Sequence, residues 1–400
     1  MILKNILAKI TKDQSRDFLT DRRIIIRDKY KSIDLKSNLI TVITGIRRCG
    51  KSTFLKQLMT QMKNNNYISF EDSRLTDFDL DDFENLEEIF NMQNRKYLFL
   101  DEVQFVNQWE RYAVRLPARK IKAFITGSNA TLLSREFGTL LTGRHLQYEL
   151  FPFSYPEFLK YKKLKSGKNS FLSYLENGGF PEYLKNNNNR VLRNLFHDII
   201  ARDIIAKYAI KNTKVIKDLA LYLISNAGHE FTYRSLNKLF SNGSANSVIN
   251  YLKYFEECYL FFIVNAFDFS IKKSLAKPKK IYCIDNGLIN TNSMSLTNDY
   301  GSMLENAVFI KLRQEGYEIF YYKGNRECDF ILQKNRKAIG AVQVCYKLNK
   351  ENMYREISGL KEVMNLLKLN EGIIVTLDQE DKFKIDGKII KAIPSYKYFL

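Results

Sequence analysis

Residues 42–58 read VITGIRRCGKSTFLKQL: a β-branched run, a glycine, four residues, then Gly-Lys-Ser and apolar residues at helical spacing. Gly45, Gly50, Lys51 and Ser52 match G-x-x-x-x-G-K-[ST], a pattern whose chemistry is the cradling of a polyphosphate. Two glycines let the backbone turn tightly and approach a ligand. The N–H groups across Gly45, Ile46, Arg47, Arg48, Cys49 and Gly50 can ring an anion, and the helix that follows adds its positive end. Lys51 can reach β- and γ-phosphates, the Ser52 hydroxyl can ligate Mg²⁺, and Thr53 stands at the helix start beside an α-phosphate. ATP and Mg²⁺ are the cofactors this predicts.

Phosphoryl transfer also needs a metal carboxylate and a group that orients water. The run KYLFLDEVQFV, 96–106, is an apolar strand ending in Asp101-Glu102. Asp101 can hold the metal through water, and Glu102 can orient and deprotonate the attacking water. In KAFITGSN, 122–129, Asn129 caps a third strand and is a candidate sensor of the γ-phosphate. Arg144, just ahead of the strand in TGRHLQYEL, 142–150, can neutralise transition-state charge, in its own subunit or a neighbour's.

These residues must be positioned by strands ending at one edge of a sheet. Leu39–Ile43 reads as a buried strand, and Ser52–Met62 as a helix with Phe54, Leu55, Leu58, Met59 and Met62 on one side. A parallel sheet with flanking helices, a P-loop NTPase core, is expected over residues 1–155. Next, 156–270 reads as a helical domain. Thr232 is an N-cap for a helix over 233–240, a second helix follows near 245–257, and YLFFIVNAF reads as a strand. That order is winged-helix-like. The second helix offers Asn246, Asn250, Lys253 and Tyr254 to a DNA or protein partner.

TGIRRCGKST, YLFLDEVQ, ITGSN and LTGRHLQYELFPFSYPEFL together resemble the AAA-like P-loop ATPases of bacteria and archaea that carry a C-terminal nuclease-like domain; YLENGGFPEYL and ECDFIL extend the resemblance over nearly the whole chain. The resemblance implies an ATPase core, a winged-helix-like middle and a restriction-endonuclease-like α/β end over 271–400. A nuclease of that architecture needs an Asp, a Glu and a Lys on neighbouring strands, with carboxylates on Mg²⁺ and the lysine steadying water. Here Glu305 lies on a helix and Asp329 on a strand, but the Glu position is Gln343 and the Lys position is Cys345. Lys347 or Lys311 would have to supply the cation. The expected site is degenerate, a surface that binds rather than cuts.

The 400 residues suffice for two or three domains, and 45% hydrophobic content is that of a globular protein. No run of eighteen apolar residues occurs, so no membrane span is expected. Five scattered cysteines include no C-x-x-C pair, which excludes a zinc ribbon and a disulfide framework and fits a cytoplasmic protein. The net charge of +19 favours a nucleic-acid partner, although the excess is spread along the chain rather than gathered in one patch. The reading is an ATP-hydrolysing switch that binds DNA or protein and can oligomerise. The alternatives are an ATP-gated Mg²⁺-dependent nuclease, or a signalling scaffold with slow turnover.

Overall fold

A computed structural model describes residues 2–18, 25–62, 65–90, 96–128, 143–240, 245–295 and 299–400. The chain forms two compact units, Met1–Phe151 and Pro152–Leu400.

The first unit is built on five parallel strands: β1 (Ile40–Thr44), β2 (Asn65–Ser69), β3 (Tyr97–Asp101), β4 (Lys122–Gly127) and β5 (His145–Glu149), in the order β2-β3-β4-β1-β5. The sequence dictates this layout. ITVIT and KAFITG are buried along their whole length, as strands covered on both faces must be. One face packs Leu7 and Ile10 of the helix Lys4–Phe18 with Phe83, Leu86 and Trp109. On the helix Lys51–Met59, Phe54, Leu55 and Leu58 are buried, each adding roughly 1.5–3 kcal/mol to its anchoring. Register aligns the C-terminal ends: Thr44 sits beside Gly127 and Glu149, and Ser69 beside Asp101. From β1 the chain crosses to the far edge at β2, returns through β3 and β4, then passes β1 to reach β5. The strand order therefore switches beside β1, where open α/β sheets take their ligands.

The second unit begins with a helix, Tyr155–Lys162, closed by a reciprocal cap: Glu157 N donates to Ser154 Oγ at 3.4 Å and Ser154 N to Glu157 Oε2 at 3.0 Å. Further helices lead through a π-helical segment, Ile199–Ala206, into the helix Thr213–Ser225. Then come β6 (Glu230–Phe231), the helices Tyr233–Phe240 and Ala245–Glu257, β7 (Phe261–Asn265), the short helix Ile271–Ala276 and β8 (Lys279–Cys283). Thr232 caps the first of those helices, its Oγ1 accepting from Ser235 N at 3.0 Å. β8 is the central strand of an antiparallel sheet β6-β8-β7, pairing with strands on the other side of the division expected at 270/271.

The C-terminal part holds a six-stranded mixed sheet: β9 (Glu318–Lys323), β10 (Glu327–Lys334), β11 (Lys337–Val344), β12 (Glu371–Thr376), β13 (Asp381–Ile385) and β14 (Lys388–Pro394), ordered β13-β14-β12-β11-β10-β9. The helix Met353–Leu366 covers β10, β11 and β12, and the helix Tyr300–Gln314 packs on β8, β9 and β11. Among the described residues no helix is long and apolar enough to cross a membrane.

Candidate functional site

The loop between β1 and the helix Lys51–Met59 is shaped by residues with positive φ: Gly45 at 153°, Arg48 at 62° and Gly50 at 101°. A Cβ on Gly45 would lie 2.1 Å from the Leu150 carbonyl oxygen, so only glycine fits between β1 and the exit of β5. Cys49 is fully buried behind the loop, donating through Sγ to Leu150 O at 3.3 Å, and burial pushes its thiol pKa up. Arg27, which sequence reasoning missed, holds the same loop from outside. Its guanidinium donates to Cys49 O at 2.9 Å and to Phe151 O at 2.5 Å.

Lys51 is buried, with Nζ 3.2 Å from Gly45 O, 3.3 Å from Ile46 O and 3.3 Å from Glu102 Oε1. Burial works against its charge, but Glu102, with Cys49 and Asp101, outweighs that and raises its pKa. Asp101 closes β3. It accepts from Thr126 Oγ1, from Tyr67 OH at 3.1 Å and from the Ser52 hydroxyl. Burial, reinforced by the neighbouring Glu102, pushes Asp101 up to about 6. Glu102 follows in a left-handed conformation, φ 53°, which turns its side chain toward the loop. Its N–H donates to Thr126 Oγ1 at 2.9 Å and its Oε2 accepts from Gln104 Nε2. Burial opposes its charge, but Lys51 and then Gln104 hold its pKa below the usual range.

Thus Gly45, Gly50, Lys51, Ser52, Asp101 and Glu102 meet at the C-terminal edge of the sheet. Arg47 reaches Glu71 at 3.6 Å, while Arg48 and Thr53 are exposed. Arg144 is exposed beside Gly143, and its carbonyl accepts from Ile40 N at 3.0 Å. Asn129 lies outside the described residues. Thr126 lies within the ITGSN stretch and Tyr67 in none of the quoted motifs, but that both hold Asp101 shows only in the strand register.

The second candidate site is in the C-terminal part. Glu305 and Asp329 do come together, around a group the sequence did not single out: Lys280 of β8. Its Nζ lies 3.0 Å from Glu305 Oε1, 3.0 Å from Glu327 Oε1 and 3.1 Å from Asp329 Oδ1. Tyr282 OH also donates to Glu305 at 2.7 Å. Burial and the adjacent Asp329 push Glu305 up to about 7. Gln343 is buried beside them, and the group opens on a cavity of about 670 Å³ that Arg326 and Arg355 also line.

The expected cation sources are corrected. β11 ends at Val344, so Cys345 lies just past the strand, its thiol in an apolar cluster with Leu348 and Leu360. Lys347 is exposed, and Lys311 pairs with Glu315 at 2.8 Å. On the candidate nucleic-acid helix, Asn250 and Lys253 are exposed, whereas Tyr254 stacks on Tyr208 with centroids 3.7 Å apart; the side chain of Asn246 lies outside those described.

Residues 37–159 match the family described as an AAA domain, and 168–299 and 300–398 match two domains of unknown function, DUF8612 and DUF4143. The uncharacterized protein MJ1544 of Methanocaldococcus jannaschii is 35% identical over an alignment covering 100% of this chain and 96% of its own. An uncharacterized protein of Haemophilus influenzae is 30% identical, covering 92% and 96%. Among solved structures, the Aeropyrum pernix ORC1 protein in complex with DNA overlaps 77% of this chain and 93% of its own at a TM-score of 0.33 and 10% identity, too loose a match to bear on function. With similarity carried end to end through both proteins, the chain belongs to the same family as the M. jannaschii protein, and its match to the AAA domain spans the phosphate loop described above.

Proposed function

We propose that the chain binds ATP at the loop 45–53 and hydrolyses it with Mg²⁺, and that this turnover switches its binding to DNA or protein. One observation carries the reading: Lys51, Ser52, Asp101 and Glu102 converge on the phosphate loop in one hydrogen-bonded group, Lys51 and Asp101 buried and Ser52 and Glu102 half-buried at its mouth. The donor set suits the metal. The Ser52 hydroxyl and the Asp101 carboxylate already share a hydrogen bond, one to ligate directly and the other through water. When bound, Mg²⁺ neutralises charge developing between the β- and γ-phosphates. The chain's residues do the rest. Lys51 turns from the Gly45 and Ile46 carbonyls to the phosphates, and Glu102 is released to orient and deprotonate water. Asn129 senses the γ-phosphate, and Arg144 faces transition-state charge in cis or across a subunit contact. Lys51→Ala should weaken ATP binding about 10- to 100-fold, from the ~1.5–3 kcal/mol of a charged hydrogen bond, measured by calorimetry with ATP. Unchanged affinity would reject the site.

The order helix, β6, helix, helix, β7, short helix, β8 supports a winged-helix reading of the middle, with a boundary after β8 rather than at 270. The mixed sheet β9–β14, flanked by helices that bring Glu305 and Glu356 toward Asp329, supports a nuclease-like tail that has lost cutting. DNA affinity would draw on dispersed lysines and arginines, so it should fall steeply with salt. Binding plasmid DNA at rising salt, with Mg²⁺ or Mn²⁺ present, tests both parts. Salt-independent binding contradicts the first, and cleavage that Asp329→Ala abolishes contradicts the second. Five buried thiols and no disulfide among the described residues support a cytoplasmic location.

A further inference from the structure

A nuclease-like site is expected to gather a divalent metal between Asp329, Glu305 and residue 343. The residues present do not fit one. Among the described residues, no group of three or more His, Cys, Asp or Glu side chains is placed to hold a metal ion. The centre of the cluster is taken by a side chain of the protein itself. We infer that the ammonium group of Lys280 is a tethered cation standing where a divalent ion would stand, and that the carboxylates of Glu305, Glu327 and Asp329 take up no Mg²⁺ or Mn²⁺ while it is there.

Four observations support this. First, an ammonium group has three donors, and Nζ of Lys280 meets three carboxylates at 3.0, 3.0 and 3.1 Å. Second, Lys280 cannot easily withdraw. It is 4% exposed and sits on the central strand β8, held between Glu230 of β6 and Val264 of β7. Third, two of the carboxylates are held by further hydrogen bonds: Asp329 Oδ2 accepts from Val344 N at 2.9 Å, and Glu305 Oε1, the oxygen that meets Lys280, also accepts from Tyr282 OH at 2.7 Å.

The fourth concerns Gln343, which stands where a metal-binding Glu is expected. Its Oε1 accepts from Asp329 N at 3.2 Å, so that oxygen is turned to the backbone. Its Nε2 donates to Glu356 Oε2 at 2.8 Å. A glutamate at 343 would set two buried carboxylates against each other, and only the amide completes this arrangement. Gln343 is thus part of a network that satisfies itself without metal, rather than a weakened ligand. A divalent ion brought to Asp329 would lie close to the Lys280 charge, and like charges in a buried site repel strongly. Mg²⁺, which needs near-octahedral charged oxygens and sheds water reluctantly, would have to break these hydrogen bonds to enter.

The inference takes the nuclease-like reading as its comparison, but its readout is metal uptake rather than DNA cleavage, so the two fail separately. The full chain is titrated with Mn²⁺ by calorimetry, and its melting temperature is followed with and without Mn²⁺. Any Mn²⁺ held near Ser52 and Asp101 is common to every variant and cancels. Wild type and Asp329→Asn should give the same isotherm and the same shift in melting temperature. Lys280→Met should gain a Mn²⁺-binding step and a Mn²⁺-dependent rise in melting temperature, and both should vanish in Lys280→Met/Asp329→Asn. Asp329-dependent Mn²⁺ uptake by the wild type overturns the inference, and so does a folded Lys280→Met that takes up none. If Lys280→Met does not fold, the wild type against Asp329→Asn still decides.

Discussion

Replacing Glu102 by Gln is expected to slow ATP hydrolysis by about 10²–10⁴-fold, the usual worth of a positioned general base, while ATP binding is kept or tightened. The geometry separates the two effects. The amide would retain the side-chain shape and could still meet Gln104, but it could neither accept a proton from water nor pair with Lys51 as a charge. Lys51 now has Glu102 at 3.3 Å, a partner that ATP must displace. Removing that partner's charge lowers the cost of turning Lys51 toward phosphates. Single-turnover hydrolysis and equilibrium ATP binding, measured on the same preparation, distinguish the terms. Turnover at the wild-type rate would show that Glu102 is not the base. The same variant places Arg144: mixed with Arg144→Ala, it should recover activity in hybrid assemblies if the arginine acts across a subunit contact. No recovery would assign it to its own subunit or to none.

Lys280→Met should destabilise the full chain by about 3–5 kcal/mol, the cost of leaving buried charges without their counter-ion. Lys280 and Asp329 carry most of this, with side chains 5% and 8% exposed. Glu327 is 47% exposed, and its share is screened by water. The loss should be largest above pH 7. Glu305 is already held near 7 by burial and Asp329, so as the pH falls it takes up a proton and the uncompensated charge shrinks. Urea unfolding at pH 8 and pH 6 tests the sign: a smaller loss at the lower pH is expected. Because Lys280 and Glu305 touch, Lys280→Met combined with Glu305→Gln should cost less than the two changes summed. Simple additivity would mean the pair is not coupled.

The two sites differ in how well the chain displays them in one dimension. The phosphate loop is legible because its parts are consecutive. β1 feeds Gly45, and Gly50 feeds Lys51, all within one strand–turn–helix unit. Asp101-Glu102 is legible because an apolar strand ends on it. Thr126, which orients both, is not. Its role arises from the pairing of β3 with β4, and nothing near it in the chain announces that. Lys280 is illegible for the same reason in stronger form. Its partners Glu305 and Asp329 lie 25 and 49 positions away, and a lysine in KKIYC looks like any solvated one. Gln343 reads as a lost ligand in the sequence because its partner Glu356 belongs to a helix 13 positions later. Cys345 reads as a strand residue, yet the strand ends one residue before it, at Val344.

The close approach of Gly45 to the Leu150 carbonyl has a consequence for the choice of controls. A glycine in such a loop is commonly replaced to produce a nucleotide-blind protein. Here the added methyl group would collide with backbone 2.1 Å away rather than with a ligand. A chain altered at Gly45 would therefore lose ATP because the end of β5 had been pushed off β1, and its melting temperature would drop even in buffer alone. Its failure would say nothing about phosphate recognition. Lys51 carries no such ambiguity: its backbone is ordinary helix, and only the tip of its side chain reaches the Gly45 and Ile46 carbonyls and Glu102.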